Sequence, residues 1–156
     1  MRKRILTTAI LSLSLLATTI PAEAATSPSE GRYSPACTKY VNMAREVGWP
    51  KSDRFMLRVI MWRESRCIPA NIGRNRNTAG EVTSQDWGLL QVNDVSWLRY
   101  LRDRGIIKNK EDLLNPRTNL IAGLALRKYS VEKGYSPWHQ WRTSDPNGSA
   151  GSAGSK

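Results

Sequence analysis

The chain has 156 residues, 40% of them hydrophobic and 24% charged, which suits one domain with one core. Its 24 Lys and Arg residues against 13 Asp and Glu residues give a net charge of +11, which favours a polyanionic partner. Nucleic acid is not the expected partner, because the basic residues are scattered and no RNA- or DNA-binding motif accompanies them. Two cysteines with one histidine make no zinc site, and neither a metal nor a cofactor is expected.

Residues 1–24 have the pattern of a secretory signal peptide. Arg2-Lys3-Arg4 precede the uncharged stretch 5–20, and Ala22-Glu23-Ala24 is a small-x-small cleavage pattern. A membrane anchor is the alternative, but this stretch is short for a span of about 20 residues. We therefore expect cleavage after Ala24, a secreted or cell-envelope protein, and no membrane span in the mature chain.

The mature chain divides into three predicted parts. Residues 25–34 are rich in Ser, Pro and Gly and are expected to be flexible, residues 35–142 form the folded domain, and residues 143–156 are a flexible Gly/Ser tail. A monomer is expected.

Turn residues delimit the first predicted helices. The first helix covers about 36–47, between Pro35 and Gly48. Ser52 is the predicted N-cap of the second helix, which ends at Glu64. Apolar residues cover nearly the whole circumference of this second helix, so it is predicted to be central and buried.

Polar residues follow from 69 to 85, where Asn77-Thr78-Ala79-Gly80 predicts the turn of a small β-hairpin or an open loop. A third helical segment is expected over 88–91. A fourth helix carries Trp97, Leu98 and Leu101 on its apolar face and ends at Gly105.

The C-terminal part of the domain is predicted to hold a short helix, a longer helix and a final turn. A short helix is expected around 111–114, and Asn115-Pro116 predicts the N-cap and first residue of a helix that stops at Gly134. A final turn holds Trp138 and Trp141. The fold class is therefore mainly α (α+β), a helical domain with a small β-hairpin or loop insertion.

Both cysteines, Cys37 and Cys67, lie in the mature part. An exported chain meets oxidising conditions, so we expect a disulfide between the first helix and the residues just after Glu64, with two free thiols as the alternative.

Two acids carry the functional hypothesis. Glu64 closes the buried helix, and Asp86 lies beside the Gly88 turn after the polar segment. Cleavage of a glycosidic bond needs a proton donor on the leaving oxygen and a second group that stabilises positive charge or activates water. Taken singly, Glu64 has an alternative role as a surface residue paired with Arg63 or Arg66, and Asp86 as a turn or N-cap residue.

The sequence around these acids resembles the lysozyme superfamily. Its Glu64-Ser65, Asn75-Arg76-Asn77-Thr78 and 86–93 (D-W-G-L-L-Q-V-N) segments resemble c-type lysozymes, and equally the small exported lytic transglycosylases of the SLT type. The stretch 112–123 resembles the second group, and Trp138-x-x-Trp141-Arg142 resembles c-type lysozymes. The A-Y-N-A-G segment usual in SLT enzymes is missing, and two cysteines are fewer than c-type lysozymes carry.

The resemblance implies a role for several residues. Glu64 corresponds to the general acid and Asp86 to the second carboxylate of lysozymes. Trp138 corresponds to the aromatic residue that packs on the acid. The residues expected to contact substrate are Ser65, Trp87, Gln91, Asn93 and Trp138, and among the tryptophans we expect Trp87 to face the substrate.

Three functions remain open at this point. The first is a muramidase that cuts the β-1,4 bond between N-acetylmuramic acid (MurNAc) and N-acetylglucosamine (GlcNAc) of peptidoglycan as a lytic transglycosylase, leaving 1,6-anhydroMurNAc ends. The second is a hydrolytic lysozyme that uses Asp86. The third is a non-catalytic cell-wall-binding protein.

Overall fold

Four helices and a small antiparallel sheet make up residues 35–141, the part of the chain that this computed structural model describes. The predicted signal peptide, the segment 25–34 and the tail lie outside the described residues. The elements are α1 (Pro35–Glu46), α2 (Arg54–Ser65), β1 (Ile72–Arg76), β2 (Val82–Trp87), β3 (Val92–Asn93), α3 (Asp94–Asp103) and α4 (Pro116–Glu132). Short 3-10 helices cover Lys51–Asp53, Lys110–Leu114 and His139–Trp141. The predicted fold class, mainly α with a small β insertion, is confirmed.

Local signals explain most helix ends. α1 begins at Pro35 and stops before Gly48, which has a φ of +96°. The Asn115 side chain accepts hydrogen bonds from the backbone N–H groups of Arg117 and Thr118, and thereby caps α4 as predicted. Ser52 is not the cap of α2: it lies inside the preceding 3-10 helix, and Asp53 precedes the first residue of α2.

α2 is the central helix that the sequence predicted, with Leu57, Ile60 and Met61 almost fully buried. It ends where Arg66 adopts a left-handed conformation, with a φ of 54°. The disulfide between Cys37 and Cys67 is confirmed, with 5.3 Å between the two Cα atoms. It closes a loop of 30 residues, which in the chain-entropy model contributes about 3–4 kcal/mol.

The segment between the two acids forms a three-stranded sheet in the order β1-β2-β3, both pairs antiparallel. The predicted hairpin turn is present, since Gly80 N donates to Asn77 O at 2.9 Å. The expected helix over 88–91 is wrong. These residues form a turn between β2 and β3, because Gly88 and Gln91 both have positive φ angles, 74° and 47°.

α4 packs against this turn and holds it in place. Asn119, fully buried on α4, accepts a hydrogen bond from Leu90 N and donates to the carbonyl oxygens of Trp87 and Leu113. Gly123 allows the close approach, since a Cβ there would lie 2.2 Å from Leu90 Cδ1. Within residues 35–141, no helix combines the length and the apolar character that crossing a membrane requires.

Candidate active site

An open cleft of about 350 Å³ lies between the sheet and the helices. From the sheet side it is lined by Asp86, Gln91 and Asn93, and from the helical side by Glu64, Trp97, Leu126 and Trp141. The two acids, which are 22 positions apart in the sequence, therefore face one cavity. Four of the seven predicted site residues line this cleft, namely Glu64, Asp86, Gln91 and Asn93.

Glu64 lies in the last turn of α2 with its side chain 25% exposed. Its Oε1 accepts hydrogen bonds from Nε and Nη2 of Arg63, the Nε bond being 3.0 Å long. The pairing with Arg63, which was the alternative role predicted for Glu64, is therefore present. It coexists with the position in the cleft, because the side chain is paired and still accessible.

Asp86 is held by amide groups from both neighbouring strands. Asn75 Nδ2 on β1 donates to Asp86 Oδ2, and Asn93 Nδ2 on β3 donates to Asp86 Oδ1, both at 2.8 Å. The same two amides reach Ser84 Oγ, at 2.9 and 3.1 Å. Two neutral donors, one on each carboxylate oxygen, fix the plane of the group.

Gln91 is fixed by its own turn. Its Nε2 donates to Gly88 O at 2.8 Å and to Asn71 O at 3.1 Å. Gly73 on β1 lies against it, since a Cβ there would lie only 2.7 Å from Gln91 Oε1 and 3.4 Å from Asp86 Cβ. Gly73 therefore leaves room for two cleft residues at once.

Three predicted substrate contacts, Ser65, Trp87 and Trp138, are buried in the interior and do not line the cleft. Ser65 is 2% exposed and donates to Leu89 O at 2.8 Å, because consecutive helix residues point in different directions and only Glu64 faces the cleft. Trp87 is 4% exposed, because strand residues alternate between faces and Asp86 takes the cleft side. The expectation that Trp87 faces the substrate is wrong.

The aromatic residue of the final turn that lines the cleft is Trp141, not Trp138. The Trp138 ring is 4% exposed and stacks on Trp49 with 5.9 Å between the ring centroids. Trp141 is positioned by its indole N–H, which donates to Leu90 O at 2.8 Å.

Sequence reasoning also missed Asn75, Ser84 and Trp97 as site residues. The alternation of β2 carried a usable signal for the first two, because Ser84 and Asp86 are two positions apart and must share a face. Asn75 then follows from its pairing with Ser84 across the hairpin. Nothing local indicates Trp97, which enters the cleft from α3.

The arrangement suits acid–base chemistry on a bound polymer. It presents one carboxyl group from a helix, one amide-clamped carboxylate from a sheet, and tryptophan rings on which sugars can lie. The described residues contain no group of three or more His, Cys, Asp or Glu side chains arranged to bind a metal ion.

Comparison with known proteins identifies the family to which this domain is similar. Residues 43–140 match the transglycosylase SLT domain family. A peptidoglycan-binding-like protein of Escherichia coli O157:H7 is 38% identical to this chain over 69 residues. A similarly named protein of Escherichia coli strain K12 is 36% identical over 69 residues.

Each alignment with these curated relatives covers 44% of this chain, and respectively 41% and 43% of the relative. The chain therefore spans less than half the length of the curated relatives that it matches. No solved structure gives a significant match.

Proposed function

Since this chain belongs to the transglycosylase SLT domain family, we propose that it is an exported enzyme that cleaves peptidoglycan strands. The bond is the β-1,4 linkage between MurNAc and GlcNAc, and the main product carries a 1,6-anhydroMurNAc end. The observation that carries this proposal is the position of Glu64 and Asp86 on the helical and sheet sides of one open cleft.

In the proposed reaction, Glu64 acts first as an acid and then as a base. Its protonated carboxyl gives the proton to the leaving O4 of GlcNAc while the bond from C1 of MurNAc to that oxygen breaks. The resulting carboxylate takes the proton of the MurNAc 6-hydroxyl as O6 bonds to C1. No water is consumed, and Glu64 returns to its protonated form.

The substrate's own acetamido group stabilises most of the positive charge that develops on the sugar ring between these two steps, and Asp86 adds a smaller electrostatic contribution. Its two clamped oxygens support this electrostatic role, because a fixed carboxylate needs no reorganisation as the charge appears. Gln91 and Asn93, which line the same wall, are proposed to contact the sugar.

Hydrolysis is the second candidate, and the clamped Asp86 is the specific observation that favours it. A carboxylate opposite the acid can form an ion pair or covalent bond with C1, or can activate a water molecule, and the product then has a free reducing end.

The products and two variants test these proposals. Muropeptides released by the purified chain are identified by mass: anhydro ends support the transglycosylase and reducing ends support the hydrolase. Glu64→Gln should lower the rate of release by about 10² or more while leaving the fold intact. Glu132→Gln, which removes an exposed acid of α4, is the matched control and should retain the parental rate.

Asp86→Asn separates the two chemistries further. A hydrolase should lose about 2 kcal/mol or more of transition-state stabilisation, and a transglycosylase should lose less and still release anhydro ends. Asp103→Asn on the exposed face of α3 is the matched control. Binding of peptidoglycan without release of any fragment would instead favour a non-catalytic wall-binding protein.

A further inference from the structure

Arg63 connects the acid on α2 to the final turn of the domain. Its Nε and Nη2 both donate to Oε1 of Glu64, and Nη2 also donates to the backbone oxygen of Trp141. Trp141 lines the cleft and is itself anchored to Leu90 O. One guanidinium therefore links the orientation of the acid to the aromatic wall of the cleft.

The geometry leaves one oxygen of Glu64 available. Both hydrogen bonds from Arg63 go to Oε1, and no group within residues 35–141 donates to Oε2. A planar guanidinium has donors in fixed directions, so two bonds from it restrict rotation of the carboxyl group. Oε2 is thus the oxygen that can exchange a proton with a ligand in the cleft.

We propose that Arg63 is a positioning residue for Glu64, an inference that rests on the function proposed above. Arg63 holds Oε1, so that Oε2 carries the proton to the leaving oxygen and later takes one from the attacking hydroxyl. Between these transfers Glu64 is a carboxylate, and Nε and Nη2 of Arg63 keep its Oε1 in place. Removal of Arg63 should therefore slow the chemical steps and leave substrate binding nearly unchanged.

Arg66 provides a matched comparison at the same helix end. It donates to Trp62 O at 2.7 Å and lies over the Trp62 ring, so these two contacts are to Trp62 and not to Glu64. Arg66→Gln changes the net charge as much as Arg63→Gln does. A difference between these two variants therefore reports the contacts that Arg63 makes with Glu64 and with Trp141 O, and not the loss of one positive charge.

The experiment measures kcat and KM of the full chain on soluble, uncross-linked peptidoglycan strands. We expect Arg63→Gln to lower kcat by at least about tenfold, the scale of a lost hydrogen bond to a charged group, with KM changed by less than about twofold. Arg63→Lys keeps the charge and should recover part of kcat. Arg66→Gln should match the parent in both constants.

Two further measurements distinguish a change at the Glu64 carboxyl from a loss of folding. The ¹³C resonance of the Glu64 carboxyl should move in Arg63→Gln and not in Arg66→Gln, and thermal unfolding identifies any variant whose loss is one of folding. If Arg63→Gln is unstable, Arg63→Met also removes the donors and has good helix propensity.

The outcomes separate the two proposals. A parental kcat in Arg63→Gln, a loss confined to KM, or an unmoved carboxyl resonance would overturn the role of Arg63. If the parent chain releases no fragments at all, the function proposed for the cleft fails, and the positioning role fails with it.

Discussion

Asn119 offers the most demanding test of how the cleft is built. Its side chain is fully buried and makes three hydrogen bonds to backbone groups on two other segments, at 2.8–2.9 Å. Asn119→Leu has a similar shape but cannot form any of them. The N–H of Leu90 and the carbonyls of Trp87 and Leu113 would each lose a buried partner.

The loss of stability expected for Asn119→Leu follows from the number of hydrogen bonds that it removes. A buried backbone group left without a partner costs about 1–3 kcal/mol, so three groups correspond to about 3–9 kcal/mol. The carbonyls can relax toward other donors, so we expect a loss of about 3–5 kcal/mol in the free energy of unfolding. Since domains of this size are stable by about 5–15 kcal/mol, the variant should be folded but fragile.

Urea unfolding of the oxidised full chain, followed by tryptophan fluorescence, measures this loss. Ser130→Ala is the matched control, because Ser130 is equally buried on α4 but bonds no backbone group outside its own helix: it donates to Leu126 O and accepts from the Gln140 side chain at 3.0 Å. It should cost about 1 kcal/mol. A loss below about 1 kcal/mol in Asn119→Leu, or one equal to that of Ser130→Ala, would refute the role of Asn119 as the support of the turn.

Three further substitutions test other parts of the structure. Gly73→Ala should lower the free energy of unfolding by about 1–3 kcal/mol and reduce muropeptide release, because the new Cβ displaces Gln91; parental values for both would contradict this packing. Asp53→Asn leaves Arg127, 19% exposed, without its counter-charge and should cost about 3 kcal/mol or more in the same urea assay; a cost below about 1 kcal/mol would contradict a stabilising role for this ion pair. The backbone N–H groups of Asn109 and Lys108 donate to Asp112 and lower its pKa. The charged carboxylate therefore stabilises the fold fully at pH values above its ordinary pKa of about 3.9. This stabilisation is lost as the pH falls through the lowered pKa. Asp112→Asn should therefore destabilise the protein at pH 7 and have little effect in strong acid, and an equal effect at both would argue against it.

The helices were predictable because their signals are local. Asn115-Pro116 carries a cap and a residue with a fixed φ, and Gly48 supplies the left-handed conformation that ends α1. These effects act within a few residues and need no knowledge of the remaining fold. The hairpin turn at Asn77–Gly80 was predictable for the same reason.

The turn over 88–91 was not predictable, because distant residues determine it. Leu90 N is bonded by Asn119, which is 29 positions away, and the side chain of Gln91 reaches Asn71 O, which is 20 positions away. The local pattern of Leu89, Leu90 and Val92 is compatible with a helix. Tertiary contacts override it.

The sequence was sufficient to predict the two acids of the candidate site, but only some of the residues that line the cleft around them. Glu64 and Asp86 belong to recognisable motifs, but either tryptophan of the final turn satisfies the same motif. The choice between them depends on Trp49, whose ring covers Trp138 and leaves Trp141 for the cleft. No spacing in the sequence reports that stacking.

The disulfide makes the stability of the protein depend on the redox conditions of its compartment. Cys67 follows Glu64 by three positions, so the covalent tie to α1 fixes the chain immediately beyond the acid. In a reducing compartment the two thiols stay apart, and this end of α2 lacks its anchor. The bond closes only where oxidants are available. If the chain is exported, as proposed, it would thus reach full stability only after it has left the cytoplasm.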